Sequence, residues 1–249
     1  MRFAAIADIH GNCAALQAVL DDIAGLGIRD IVNLGDCFSG PLEAGRTADL
    51  LLLLDMDATA TVRGNQDRQL LDGPVSDMGA SDAHAFAQLA PRHVEWLRKL
   101  PLSMVWRDEV FLCHATPDRD DVYWLETLSA QAQLVLRPLP EIEAMAGGME
   151  QSLILCGHSH TARLVALSDG RLIVNPGSVG CPAYRDDEPV PHVVETGHAM
   201  ACYAVLEKRA GRWVGEFRAV PYDHMAMSRL AADNGRPDWA SGLATGRID

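Results

Sequence analysis

Nothing in this 249-residue sequence has C-x-x-C spacing, no apolar run approaches the ~18 residues of a membrane span, and basic residues fall short of acidic ones, 21 against 34. Each shortage excludes something. Without a basic n-region ahead of a long apolar stretch, secretion is not expected, and six cysteines outside an oxidising compartment do not read as a disulfide framework. They read as small buried hydrophobes instead, with Cys113 turned into the core beside an outward His114. A soluble, cytoplasmic protein with no membrane partner is the expectation. The net charge of -13 and pI near 5.0 argue against a long nucleic acid as partner, because phosphate backbones are bound through basic surface. A small anionic substrate stays open, since bound metal ions can reverse a local field. Whether the chain forms an oligomer is also open.

What is present is an alternation of short apolar runs and amphipathic stretches. Residues 2–8 read as a strand. Asn12 then reads as a helix N-cap, with Leu16, Val19, Leu20 and Ile23 on one helical face and Gly25 and Gly27 as the stop. Ile31–Leu34 is a second strand, Pro41 suits the first turn of a helix running to Leu54, and Thr59–Val62 is a third strand. Strand, helix, strand, helix, strand predicts βαβ units and a parallel sheet. A loop around Gly73, Pro74 and Gly79 precedes two helical patterns, near Ala83–Leu89 and through Val94, Leu97 and Leu100. A hairpin at 102–113 turns on Arg107-Asp108-Glu109, and a helix is expected through Leu134. The remainder is β-rich, with an Asp169-Gly170 hairpin signal, and 224–249 reads as a loose helix with a partly ordered tail. With no internal repeat and no second core, one domain over 1–249 is expected.

The chemistry collects at strand ends. The run Leu153-Ile154-Leu155-Cys156 breaks at Gly157 and is followed by His158 and His160, which point the same way in an extended segment. Asp8-Ile9-His10, Gly35-Asp36, Gly64-Asn65 and Cys113-His114 each follow a strand-like run too. Packing alone does not account for five such ends. Asp8, His10, Asp36, Asn65, His114, His158 and His160 offer imidazole and carboxylate donors, which suit manganese, iron, zinc or nickel better than calcium or magnesium. Seven donors exceed the needs of one ion and fit two ions sharing a carboxylate. Two divalent ions bring +4 against -2 from Asp8 and Asp36, a cationic centre suited to a phosphate ester.

The set Asp8-x-His10, Gly35-Asp36, Gly64-Asn65, His114 and Gly157-His158-x-His160 resembles the calcineurin-like metallophosphoesterase superfamily. Ala7–Asn12 together with Asn175-Pro176-Gly177-Ser178-Val179-Gly180 is similar to its small bacterial phosphodiesterase and diadenosine-tetraphosphatase branch. The resemblance covers Arg2 to about Tyr222. It implies an α/β fold, a four-layer α-β-β-α sandwich of mixed sheets flanked by helices. It implies further that Asp8, His10 and His160 hold one metal, that Asn65, His114 and His158 hold the other, and that Asp36 bridges them, manganese being favoured. Asp36, Asn65 and His114 would then be the catalytic set around a bridging hydroxide that attacks phosphorus. Asn12, Arg63, Gln66, Tyr184 and Arg185 are the candidate substrate contacts, the last two as a stacking ring and a phosphate fork. His84, His93, His192, His198 and His224 are expected to be exposed filler.

One position departs from the family's pattern. Where the family usually carries histidine after Gly-Asn, this chain has Gln66, which cannot release a proton at useful pH. That favours good leaving groups, hence diester or anhydride cleavage of a nucleotide-like substrate, over a broad phosphomonoesterase. A non-catalytic scaffold would have no reason to keep all seven donors, and a redox or oxygenase iron site would need fewer.

Overall fold

The computed structural model describes residues 1–54 and 59–248. In chain order they form β1 (Arg2–Ile6), α1 (Cys13–Gly25), β2 (Ile31–Asn33), α2 (Ala44–Leu53), β3 (Thr59–Thr61), α3 (Asn65–Gln69), α4 (Ala80–Gln88) and α5 (Pro91–Lys99). Next come β4 (Ser103–Trp106), β5 (Val110–Cys113), β6 (Glu126–Leu128), β7 (Leu134–Leu136), α6 (Leu139–Met145), β8 (Leu153–Leu155), β9 (Arg163–Ala166) and β10 (Leu172–Asn175). The chain closes with β11 (Ala183–Asp186), β12 (His192–Glu195), β13 (Ala201–Arg209), β14 (Arg212–Val220), α7 (His224–Asp233) and α8 (Pro237–Thr245).

Two five-stranded sheets face each other, in the orders β14-β13-β1-β2-β3 and β4-β5-β8-β10-β9. Strict alternation along each strand builds three apolar layers. From β1, Phe3 and Ala5 point between the sheets, where they meet Trp106, Leu112, Leu153, Leu155 and Val174. Ala4 and Ile6 point outward against Leu16, Val19 and Ile23 of α1. On the far side, Ile154 and Ile173 pack with Ile142 of α6 and Trp124. The result is an α-β-β-α sandwich. Both sheets are mixed, not parallel throughout: β1, β2 and β3 run parallel, as do β5, β8 and β10, but β4 and β9 lie antiparallel through short hairpins to β5 and β10, and β13 pairs antiparallel with β1 from far along the chain.

Three local expectations fail. The segment through Leu134 is an antiparallel ribbon, β6 with β7, closed by Ser129 N–H donating to Gln133 O at 2.9 Å. The prolines at 138 and 140 admit helix only from Leu139 onward, as α6. Pro41 lies ahead of α2, not in its first turn. Residues 224–248 are not a loose tail but two helices around Leu42, Met227, Ala231 and Leu243; Asp249 lies outside the described residues. Among the described residues no helix is long and apolar enough to cross a membrane.

Candidate metal centre

The parallel strands of both sheets release their C-terminal ends on the same edge, and the seven donors sit in the loops just beyond. Five of those donors adopt left-handed backbone conformations, with φ of 56° at Asp8, 52° at His10, 54° at Asp36, 68° at His158 and 54° at His160. Asp and His tolerate that region better than most residues, yet each instance costs of order 1–3 kcal/mol and persists only where the surroundings enforce it. The surroundings are close. A Cβ on Gly64 would lie 2.1 Å from Asp36 Oδ1, and one on Gly180 would lie 1.7 Å from Ile9 O. The loop after β10 braces the Asp8 turn: Ser178 Oγ donates to Asp8 O at 2.8 Å and Gly180 N at 3.0 Å. From its other end, Asn175 Nδ2 donates to Gly157 O at 2.7 Å.

Two groups of side chains converge. In the first, Asp8, His10 and His160 bring their donor atoms within 4.8 Å of one another; in the second, Asp36, His114 and His158 do the same. Asn65 joins the second, its Oδ1 at 3.1 Å from His114 Nε2. Tautomers are set at the outer nitrogens. His10 Nδ1 lies 3.0 Å from Ser39 O, His114 Nδ1 2.7 Å from Leu34 O, and His160 Nδ1 2.7 Å from Cys181 O. A carbonyl only accepts, so each Nδ1 carries hydrogen and each neutral ring turns the Nε2 lone pair inward. The consequence is a clash of lone pairs. His10 Nε2 faces His160 Nε2 at 3.2 Å, and His114 Nε2 faces Asn65 Oδ1 at 3.1 Å and Asp36 Oδ2 at 3.3 Å. Only a proton or a cation between them reconciles these pairs.

For the first group a proton is disfavoured. Burial pushes both His10 and His160 down, His160 well below the ordinary imidazole range. Asp8 is fully buried, and neither of its carboxylate oxygens has a hydrogen-bond partner among the described residues. Its carboxyl is pushed up to about 8, first by burial, although the His114 charge opposes the shift. In the second group burial disfavours charge on both His114 and Asp36, but their mutual attraction outweighs it. His114 is raised to about 10, and Asp36 is held below the usual carboxylate range. Asp36 Oδ1 accepts from Gln66 N at 2.9 Å, which leaves Oδ2 between the groups, 3.3 Å from His114 Nε2 and 3.9 Å from His10 Nε2. Facing lone pairs and an orphaned buried carboxylate fit divalent cations of the borderline kind.

A cavity of about 750 Å³ opens over the two groups, a size suited to a small molecule. A model of the calcineurin-like phosphoesterase superfamily domain matches residues 1–197. The chain belongs to this superfamily. It is similar over 99% of its length, at 25% identity and a TM-score of 0.72, to all of a metallophosphoesterase from Sphaerobacter thermophilus. A hypothetical protein from Pyrococcus horikoshii shares the fold, with a TM-score of 0.77 over 100% of this chain and 99% of that one at 20% identity. An uncharacterized protein of Methanocaldococcus jannaschii is 26% identical over 251 residues, 95% of this chain and 94% of that one. Membership makes the protein a metal-dependent phosphoester hydrolase.

In the superfamily's frame the substrate candidates divide. Gln66, Tyr184 and Arg185 line the cavity. Asn12 does not. It is fully buried, caps α1 through Ala15 N at 3.1 Å, and donates to Gly180 O at 3.0 Å and to Tyr222 Oη at 3.1 Å. Its role is to hold the Gly180 turn, so Asn12→Ala should cost about 1–3 kcal/mol of stability and leave KM nearly unchanged. A denaturant titration beside steady-state kinetics checks this, and a KM effect with full stability would contradict it. Arg63 does not line the cavity either. Its backbone N–H donates to Pro101 O at 2.8 Å, fixing the end of β3, while its Nε is buried without a partner among the described residues.

Some positions in the site carried no sequence signal of their own. Asp67, fully buried, accepts from Cys37 N at 2.8 Å and from Gly64 N at 3.2 Å, tying the Asp36 and Asn65 loops together. Burial pushes its carboxyl up to about 6. Ser39 Oγ lies 2.5 Å from both Gln66 Oε1 and Asp82 Oδ1. The five other histidines are not exposed filler. His93 and His192 are buried, and His84, His198 and His224 are half-buried. His192 Nδ1 donates to Val190 O at 2.8 Å, so its Nε2 accepts from Tyr123 Oη at 2.9 Å, and Tyr123 in turn accepts from Tyr184 Oη at 2.8 Å. All six cysteines are buried, as expected.

Proposed function

We propose that this protein is a cytoplasmic, dinuclear metal-dependent phosphodiesterase acting on a small nucleotide-type substrate. The observation that carries the reading is the single oxygen Asp36 Oδ2 placed between His10 Nε2 of one donor group and His114 Nε2 of the other. Asp8, His10 and His160 would hold one ion, Asn65, His114 and His158 the second, and Asp36 both. Bound divalent ions would supply Lewis-acid polarisation of the phosphoryl group and lower the pKa of water at the site. The residues of the chain do the rest. Carbonyls at Ser39, Leu34 and Cys181 fix three imidazoles in the donor tautomer, and the Gln66 N–H fixes Asp36. Of the four cavity arginines, Arg119 pairs with Asp121, Arg236 with Asp238, and Arg137 with Glu141 and backbone carbonyls. Arg185 makes no side-chain hydrogen bond or ion pair among the described residues and supports a contact to substrate phosphate. Elemental analysis followed by a phosphoester panel tests the reading. Fewer than two ions per chain after manganese reconstitution, or no turnover of any diester or anhydride, would overturn it.

The diester preference rests on Gln66, which lines the cavity but cannot protonate a leaving oxygen. A developing alkoxide needs a proton, whereas a nitrophenolate leaves as a stable anion. Gln66→His should therefore raise alkyl-ester turnover relative to nitrophenyl-ester turnover, most clearly near pH 6, where an ordinary imidazole is largely protonated. The gain has a ceiling of ~10²–10⁴-fold. An unchanged ratio with intact metal content would mean that another group already supplies the proton.

A further inference from the structure

The helix pair α7–α8 lies beyond residue 197, where the superfamily match ends, yet the start of α8 brings Arg236 and Trp239 to the cavity wall. Arg236 contacts Ser81 of α4 and pairs with Asp238, and Asn234 Nδ2 donates to Pro41 O at 2.8 Å. Trp239 sits at the inner end of this wall. The indole packs against the cluster of Leu42, Met227 and Leu243; it meets the His10 ring in a T-shaped contact, 5.8 Å between centroids and 70° between planes; and it borders the cavity. Gly40 makes room for it, since a Cβ there would lie 3.3 Å from Trp239 Cη2 and 2.6 Å from His10 O. The buried indoles of Trp124 and Trp213 donate their N–H to Ile142 O and Ser152 Oγ. The indole N–H of Trp239 donates to no group among the described residues. Across the cavity, Tyr184 packs its ring at 4.5 Å from His160, so an aromatic ring flanks each side of the His10–His160 pair.

We propose that Trp239 is a stacking wall that selects phosphoesters carrying a nucleobase, with Arg185 meeting the anionic end. This rests on the phosphodiesterase reading and deepens it. A rigid indole packed against an apolar cluster and carrying an unclaimed N–H suits a flat group with polar edges. Gln66 and Gln69 amides on the neighbouring wall offer the matching hydrogen bonds to such an edge. Base–aromatic stacking tolerates any base, so the wall sets a preference for nucleotides without choosing among them.

The test is calorimetric titration of the full-length, zinc-loaded protein with AMP and with ribose 5-phosphate, which has the same phosphate and sugar but no base. Wild type should hold AMP more tightly. Trp239→Ala should weaken AMP roughly five- to hundred-fold and leave ribose 5-phosphate unchanged, with metal content as in wild type. Trp239→Leu keeps apolar packing on Met227 and Leu243 and should show the same selective loss, while Trp239→Phe should keep most of the AMP affinity. Equal loss of both ligands, or of neither, in the leucine variant overturns the stacking wall. A wild type that hydrolyses diesters but holds the two ligands equally sinks this inference alone. A wild type that hydrolyses none takes the underlying reading with it.

Discussion

An Asp36→Asn variant should lose most of both metal ions and nearly all phosphoester hydrolysis. Asparagine is the informative substitution because position 36 sits at φ 54°, a conformation that Asn accepts and Ala resists. The amide keeps the acceptor for Gln66 N–H but removes the charge that Oδ2 offers to both donor groups. Losing an outer-shell partner of a metal ligand typically costs ~10–100-fold in affinity, and losing a shared ligand should cost more. Asp36→Ala should go further by adding backbone strain. His160→Ala gives the contrast: His160 belongs to the first group only, so one ion per chain should weaken while the second stays. Elemental analysis of the three variants after dialysis against trace manganese separates these outcomes. An Asp36→Asn protein that kept two ions at wild-type affinity would remove the bridging role.

Stripping the metals should destabilise the fold, and Asp8→Asn should reverse the order of stability. Among the described residues neither buried oxygen of Asp8 has a hydrogen-bond partner, so the metal-free protein carries a poorly compensated carboxylate or must protonate it. An uncompensated buried charge costs roughly 3–5 kcal/mol. At roughly 2–4 °C per kcal/mol for a chain of this size, chelation should lower Tm by about 6–20 °C. A neutral amide at position 8 is less costly to bury. The metal-free Asp8→Asn protein should then melt above the metal-free wild type, whereas the metal-loaded wild type melts above the metal-loaded variant. Calorimetric scans of all four states check the crossing. Parallel shifts with no crossing would mean that Asp8 is not where the metals act on stability.

The Gly64 turn shows how much was legible and how much was not. Gly-Asn after a β-run announces a candidate ligand at a strand end, and Asn65 lies beside His114 in the second donor group. Nothing local says that the glycine is needed because Asp36 Oδ1, from a different strand end, occupies the space of its missing Cβ. Asn12 shows the opposite failure. Its cap position was readable from the helix pattern, but the same amide also holds Gly180, a partner 168 residues away, and that removes it from the substrate set.

By itself the sequence determined the βαβ start and the seven candidate donors, because strands, caps and ligand types are encoded within a few residues of one another; the mixed sandwich it implied only through the family resemblance. Hydrophobic period sets which face of each strand is buried, and the strand ends then fall on one edge whatever the detail. Only the tertiary structure decided how those donors are used. Tautomers were set by carbonyls at Ser39, Leu34 and Cys181, which lie 29, 80 and 21 residues from the rings they fix. The wall carrying Trp239 was decided by packing of α7–α8 on the Leu42 cluster, and the ribbon at 126–136 by pairing between strands. Such partners are chosen by shape and proximity in the folded state, and local residue preferences do not name them.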